Sequence, residues 1–213
     1  LFSIDRFVPG SFVALVGALV AGGFSVQQVI NIEDGTSVVF FAGMLKHDLF
    51  TVYFRIFLCL FLILTIALTV LTGIPDSEDS PDFYTLLLGS IIGMMMMASA
   101  NHLLMLFLGV EMASVPSYVM VGFLKGRKES SEAALKYVVY GAGAAGVMLY
   151  GISLIMGVLG TGDMAILGSQ LSALGGGLGS PGVMTVALGA LLVLAGLAFK
   201  LSLVPFHFWA PDA

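Results

Sequence analysis

Four ionisable side chains, Glu111, Lys136, Lys200 and His207, stand in or beside long stretches that are otherwise almost free of charge. A charge at the centre of a bilayer costs about 2.5 to 3.5 kcal/mol on insertion scales, so such residues are functional candidates by default. Glu111 follows the polar pair Asn101-His102 closely enough to stand ~13 Å along a helix that starts there, near mid-membrane. A carboxyl at that depth is either neutral or paired with a buried cation, and a modest perturbation converts one state into the other. Lys136 admits two readings. One is an (i, i+4) pair with Glu132, or an ammonium snorkelling to the interface. The other is a partner on the neighbouring helix, favoured because a lysine near a helix N-terminus opposes the helix dipole, and Glu111 is the expected partner. Lys200 is the sharpest case: Val183 to Phe199 carries no charge, which leaves the ammonium ~25 Å along its helix. Pro205 soon after it removes a backbone hydrogen bond, and broken helices border hydrated cavities. His207 either relays protons or sits at the interface beside Trp209. Together these groups suit a proton relay, in which separating a Glu–Lys pair controls how tightly the lysine holds its proton and drives that proton between half-channels. Nothing in the chain is arranged for redox chemistry, and no cofactor or metal is expected.

The elements that must position these groups follow from composition. Of 213 residues, 59% are hydrophobic and only 10% charged, and mean hydropathy is +1.07. A water-soluble surface cannot be built from that, so the fold class is all-α, a polytopic transmembrane bundle within a single domain. The net charge of −5 belongs to loops, and eight Lys+Arg spread along the chain make no basic patch, which excludes nucleic acid as a partner. The lone Cys59 lies in an apolar run and reads as a small buried hydrophobe. Six runs are long enough to span a bilayer: Ser11 to Ile30, Leu49 to Leu71, Phe83 to Ala100, Leu103 to Leu124, Ser131 to Val158 and Val183 to Trp209. As one helix, Phe83 to Leu124 would reach ~60 Å, two crossings, so a tight turn is required at Ala100-Asn101-His102. Arg55 and His102 fall near helix ends, where snorkelling and turn formation suffice. Asn31 to Asp48, the acidic Gly73 to Asp82, the basic Lys125 to Ser130 and the glycine-rich Gly160 to Gly182 read as loops. Arg6, Lys125, Arg127 and Lys128 on one side against Lys46 on the other set the N-terminal side as cytoplasmic.

Two segments match G-x-G-x-x-G, starting at Gly141 and Gly177. The first lies within an apolar helix, where small residues serve close helix packing. The second has no preceding strand and contains Pro181, so neither reads as a nucleotide site. Met94 to Met97 reads as adaptable packing. The chain opens on Leu1 without a basic, apolar and small-residue cleavage pattern, so no signal peptide is read and an earlier segment is expected.

Several strings carry a resemblance: Leu108-Gly-Val-Glu111, Ser114-Val-Pro116-Ser-Tyr118, Ser130-Ser-Glu-Ala-Ala-Leu-Lys136-Tyr, and Phe199-Lys200-Leu-Ser-Leu-Val-Pro205-Phe-His207-Phe-Trp209-Ala-Pro211-Asp212. Their order and spacing, from about Phe40 onward, resemble the N-type antiporter-like subunit of respiratory NADH:quinone oxidoreductase, complex I. The last string is shared with cation/proton antiporter and membrane-bound hydrogenase subunits. The resemblance implies an antiporter-like fold of about fourteen spans, of which this chain holds about six and the last is broken near Pro205. It also implies a cofactor-free subunit working beside other membrane subunits, with Glu111 and Lys136 on the family's fifth and sixth helices and Lys200 as the central lysine of its broken seventh. The family's first helix and second half lie outside the present sequence. The expected setting is a bacterial plasma membrane, with lipid and protons as further partners. The rival readings are a Na⁺/H⁺ antiporter subunit and a scaffold with inert buried charges.

Overall fold

The computed structural model describes residues 9–32, 36–73, 80–124, 127–175 and 179–211. Arg6, Lys125, Gly177, Asp212 and most of the acidic stretch before Asp82 lie outside the described residues. Among the described residues, six helices are long and apolar enough to cross a membrane: α1 (Gly10–Asn31), α2 (Leu49–Thr72), α3 (Ser80–Ser99), α4 (Leu103–Val121), α5 (Lys128–Leu159) and α7 (Pro181–Lys200). The tight turn expected between α3 and α4 is present, and His102 makes it: its Nδ1 accepts from the Leu104 amide at 3.2 Å and caps α4. Asp48 caps α2 and Ser180 caps α7 in the same way.

Two connections hold more structure than their composition suggests. The stretch from Asn31 to Asp48 contains an antiparallel hairpin of β1 (Val38–Phe40) and β2 (Leu45–His47), in the register Val38 to His47, Val39 to Lys46 and Phe40 to Leu45. Its turn is closed by left-handed residues, Phe41, Ala42 and Gly43. The glycine-rich stretch contains α6 (Met164–Ala173), started by Asp163, whose side chain accepts from the Ala165 amide at 2.9 Å. Ten residues make ~15 Å of helix, too short to span. Asn101 ties these pieces together, its amide donating to the Gly43 carbonyl at 3.0 Å and to Asp163 Oδ1 at 3.2 Å. Hairpin, α3–α4 turn and α6 therefore form one polar clasp at the end of α4 from which Glu111 is counted.

Packing follows the rule for helices in lipid, where small residues let backbones approach. The most extensive pairings are α3 with α4 and α5 with α7. At the first, a Cβ on Gly93 would stand 2.7 Å from the Met112 carbonyl carbon; at the second, a Cβ on Gly189 would stand 2.7 Å from the Gly151 carbonyl oxygen. One core cluster joins Ala14 and Ala18 of α1, Leu58, Leu62 and Ile66 of α2, and Tyr84, Leu87 and Ile91 of α3. Cys59 is buried, and Met94 and Met95 pack against the cluster. Large apolar side chains such as Phe24, Leu60, Leu108 and Leu191 cover the outer faces, as a lipid solvent allows.

Candidate functional site

The site forms where α4 meets the C-terminal end of α7. Lys200 is the last helical residue of α7, and the helix stops there instead of running to Trp209. The interruption foreseen near Pro205 therefore falls five residues earlier. Ser202 takes a left-handed φ of 53°, its amide donates to the Phe199 carbonyl at 3.0 Å, and the Leu203 amide donates to the Ala198 carbonyl at 2.8 Å. This is a Schellman-type ending, with serine where glycine is usual. Proline at position 205 explains why the helix cannot continue: it lacks an N–H, and its ring would clash with the Leu201 carbonyl. The indole of Trp209 folds back and donates to the Phe199 carbonyl at 3.2 Å, a second hydrogen bond to the oxygen that already accepts from the Ser202 amide. An ammonium on the last turn is also favoured by the helix dipole, so the ending and the cation suit one another.

Three side chains of α4 converge on that ammonium. Lys200 Nζ donates to Ser114 Oγ at 2.6 Å and to the Tyr118 hydroxyl at 2.9 Å, and stands 3.3 Å from Glu111 Oε1. Ser114 in turn donates to the Val110 carbonyl at 2.6 Å, so its proton points away and its lone pair is offered to the lysine. Both charged side chains are mostly withdrawn from solvent, 15% exposed for Lys200 and 22% for Glu111. Glu111 Oε1 is buried and, among the described residues, accepts no aligned hydrogen bond. Coulomb attraction without an aligned bond leaves the carboxylate the loosest of the three contacts. Pro116, one turn beyond Glu111, removes the hydrogen bond otherwise made to the Met112 carbonyl, which loosens α4 beside the pair.

Beyond the ammonium the site is aromatic. Tyr118 and Tyr137 meet edge to face at 4.5 Å, Tyr137 stacks on Trp209 at 4.1 Å with the rings 3° apart, and Ser117 Oγ lies 3.3 Å from the Tyr137 hydroxyl. Lys136 is not in this set. It forms the (i, i+4) ion pair with Glu132 at 2.7 Å, with side-chain exposures of 40% and 66%, beside a cavity lined by Glu129, Glu132, Ala133, Lys136 and Pro211. The expected Glu111–Lys136 pairing is thus replaced by Glu111–Lys200. His207 is exposed in the turn after α7. Sequence reasoning missed Ser114 and Tyr118 as ligands of the lysine, although Glu111, Ser114 and Tyr118 follow the i, i+3, i+7 spacing that puts them on one helix face.

A second polar group lies near the start of α2. Arg55 donates to Ser99 Oγ at 3.3 Å and lies 3.4 Å from His47 Nδ1, while Lys46 and Asp48 pair at 3.0 Å. Burial and then the Arg55 guanidinium hold His47 below its ordinary value. For Asp48, burial alone would push the carboxyl up, but hydrogen bonds from Thr51 and the Lys46 ammonium outweigh it and leave it below the usual range.

The family described as NADH:quinone oxidoreductase/Mrp antiporter, TM matches residues 100–213, more than half of the chain and all of this site. The chain belongs to this family. Among curated relatives, it is 37% identical over 204 residues to NADH-quinone oxidoreductase subunit N 2 of Chloroherpeton thalassium, covering 94% of this chain and 38% of that protein. It is 40% identical over 210 residues to subunit N of Anaeromyxobacter sp. (strain Fw109-5), covering 93% and 40%. The chain thus spans about two fifths of the length of these curated relatives. Among solved structures, respiratory complex I from Thermus thermophilus contains a chain that superposes with a TM-score of 0.74 at 30% identity, covering 98% of this chain and 43% of that one. The antiporter-like membrane fold expected from the sequence is the one found.

Proposed function

We propose that this chain is part of a proton-translocating, non-redox membrane subunit of a bacterial NADH:quinone oxidoreductase, and that Lys200 carries the proton under the control of Glu111. The carrying observation is the placement of Lys200 Nζ 3.3 Å from Glu111 Oε1 within the membrane-spanning part. Low dielectric makes each member depend on the other: beside the carboxylate an ammonium holds its proton, and parted from it in apolar surroundings it gives the proton up. Ser114 and Tyr118 supply the neutral oxygens to which the ammonium donates beside the carboxylate. The exposed apolar faces of the helices fit lipid and neighbouring membrane subunits. The bacterial relatives support a plasma-membrane setting.

NADH-driven proton translocation in membranes bearing Lys200→Met in the assembled complex tests this. Translocation is expected to be lost while the complex stays assembled; unchanged translocation overturns the reading. The matched family also covers Mrp antiporters, so a Na⁺/H⁺ exchange subunit is the second reading. Exchange driven by a Na⁺ gradient without NADH would favour it.

A further inference from the structure

Of the three glycines in Gly141-Ala-Gly143-Ala-Ala-Gly146, only the first is crowded. A Cβ built on Gly143 or Gly146 meets nothing within 4 Å, whereas one on Gly141 would lie 2.7 Å from Cζ and 3.0 Å from Cε1 of Tyr118, and nearer still to its hydroxyl. Gly141 is itself buried, and Tyr118 is 6% exposed. Along Gly141 to Gly146 the close approach to α4 therefore does not call for a run of small residues; it calls for a missing side chain at Gly141, where a phenol head enters the face of α5. That head is the oxygen to which Lys200 donates at 2.9 Å, with the ammonium 5.3 Å from the ring centroid. Tyr137, one helical turn before Gly141, walls the ring edge-on. The hydroxyl is carried by α4, but its position is set by α5.

We propose that Gly141 is a positioning residue: its bare backbone forms a notch that seats the Tyr118 hydroxyl, and the seated hydroxyl fixes the Lys200 ammonium beside Glu111. This rests on the proton-relay reading of Lys200. A side chain at position 141 displaces the phenol, the ammonium loses one of its two aligned acceptors, and its distance to the carboxylate is no longer held. The notch also couples the α4–α7 pair to any movement of α5.

The test compares Gly141→Ala, Tyr118→Phe, the double variant, Gly143→Ala and Lys200→Met in the assembled complex, reading protons translocated per NADH oxidised together with assembly. Gly141→Ala and Tyr118→Phe are each expected to lower translocation about tenfold, the scale of one hydrogen bond to a charged group, and the double variant no further than either. Gly143→Ala is expected to match the unaltered complex. Were the notch only a packing detail, Tyr118→Phe would be silent. That result overturns the proposal, as does an equal loss in Gly143→Ala. Tyr118→Phe deletes a single atom and decides the matter even if Gly141→Ala does not assemble. Loss in Lys200→Met with a silent Tyr118→Phe confines the failure to the seat; silence in both removes the relay as well.

Discussion

Two glutamate–lysine pairs in this molecule have the same chemistry and opposite circumstances. Glu132 and Lys136 sit four residues apart on one helix at 2.7 Å, with exposures of 66% and 40%. Glu111 and Lys200 come from two helices, stand farther apart at 3.3 Å, and are 22% and 15% exposed. The closer pair is the weaker one. In water-like surroundings its attraction is screened and offset by side-chain entropy, and pairs of this kind contribute about 0.3 to 0.5 kcal/mol. The more enclosed pair has less solvent to fall back on, so neither member can be removed or discharged without consequence for the other. Switching needs that dependence, and distance alone does not report it.

The contrast can be broken most directly by removing each lysine. Lys200→Met leaves a carboxylate inside the bundle without its cation, a change that costs about 3 to 5 kcal/mol when the charge persists. Lys136→Met is expected to cost less than about 0.5 kcal/mol. Thermal unfolding of the assembled complex bearing each variant measures both, and similar shifts would erase the distinction. A smaller effect is expected from the crossing that carries Glu111: Gly93→Ala drives a methyl to 2.7 Å from the Met112 carbonyl carbon, overpacking that costs about 1 to 3 kcal/mol. It should also lower proton translocation, because α4 must shift with respect to α7; full translocation would mean that the pair tolerates such movement. Smallest is the response to salt. Raising ionic strength to about 1 M shrinks the Debye length to ~3 Å and should abolish what remains of the Lys136→Met effect, while the Lys200→Met effect persists. Equal salt sensitivity would place both pairs in the same surroundings.

Much of this was legible in the residues. The spans, the turn at Asn101-His102 and the position of Glu111 and Lys200 within apolar spans follow from polar groups in apolar runs. Their partnership does not, because nothing local links a residue of α4 to one at the far end of α7. Lys136 is favoured in the sequence because it opposes its own helix dipole and stands on the helix next to Glu111, and neither condition brings the two side chains together. A sharper reading was available: Ala133, Tyr137 and Gly141 share one face of α5, and Lys136 lies about 100° around the helix from Tyr137, on the face of Glu132. The early end of α7 was harder to see, since it depends on a left-handed serine and on the returning Trp209. The hairpin and α6 were hidden by glycine-rich and mixed composition, which marks connections without saying what they build.

The central claim is that Glu111 and Lys200 act as one unit. A double-mutant cycle of proton translocation with Glu111→Gln, Lys200→Met and the double variant, each in the assembled complex, tests it directly. Strong non-additivity is expected, with the double variant little worse than Lys200→Met alone. Losses that simply multiply would show two independent residues and contradict it.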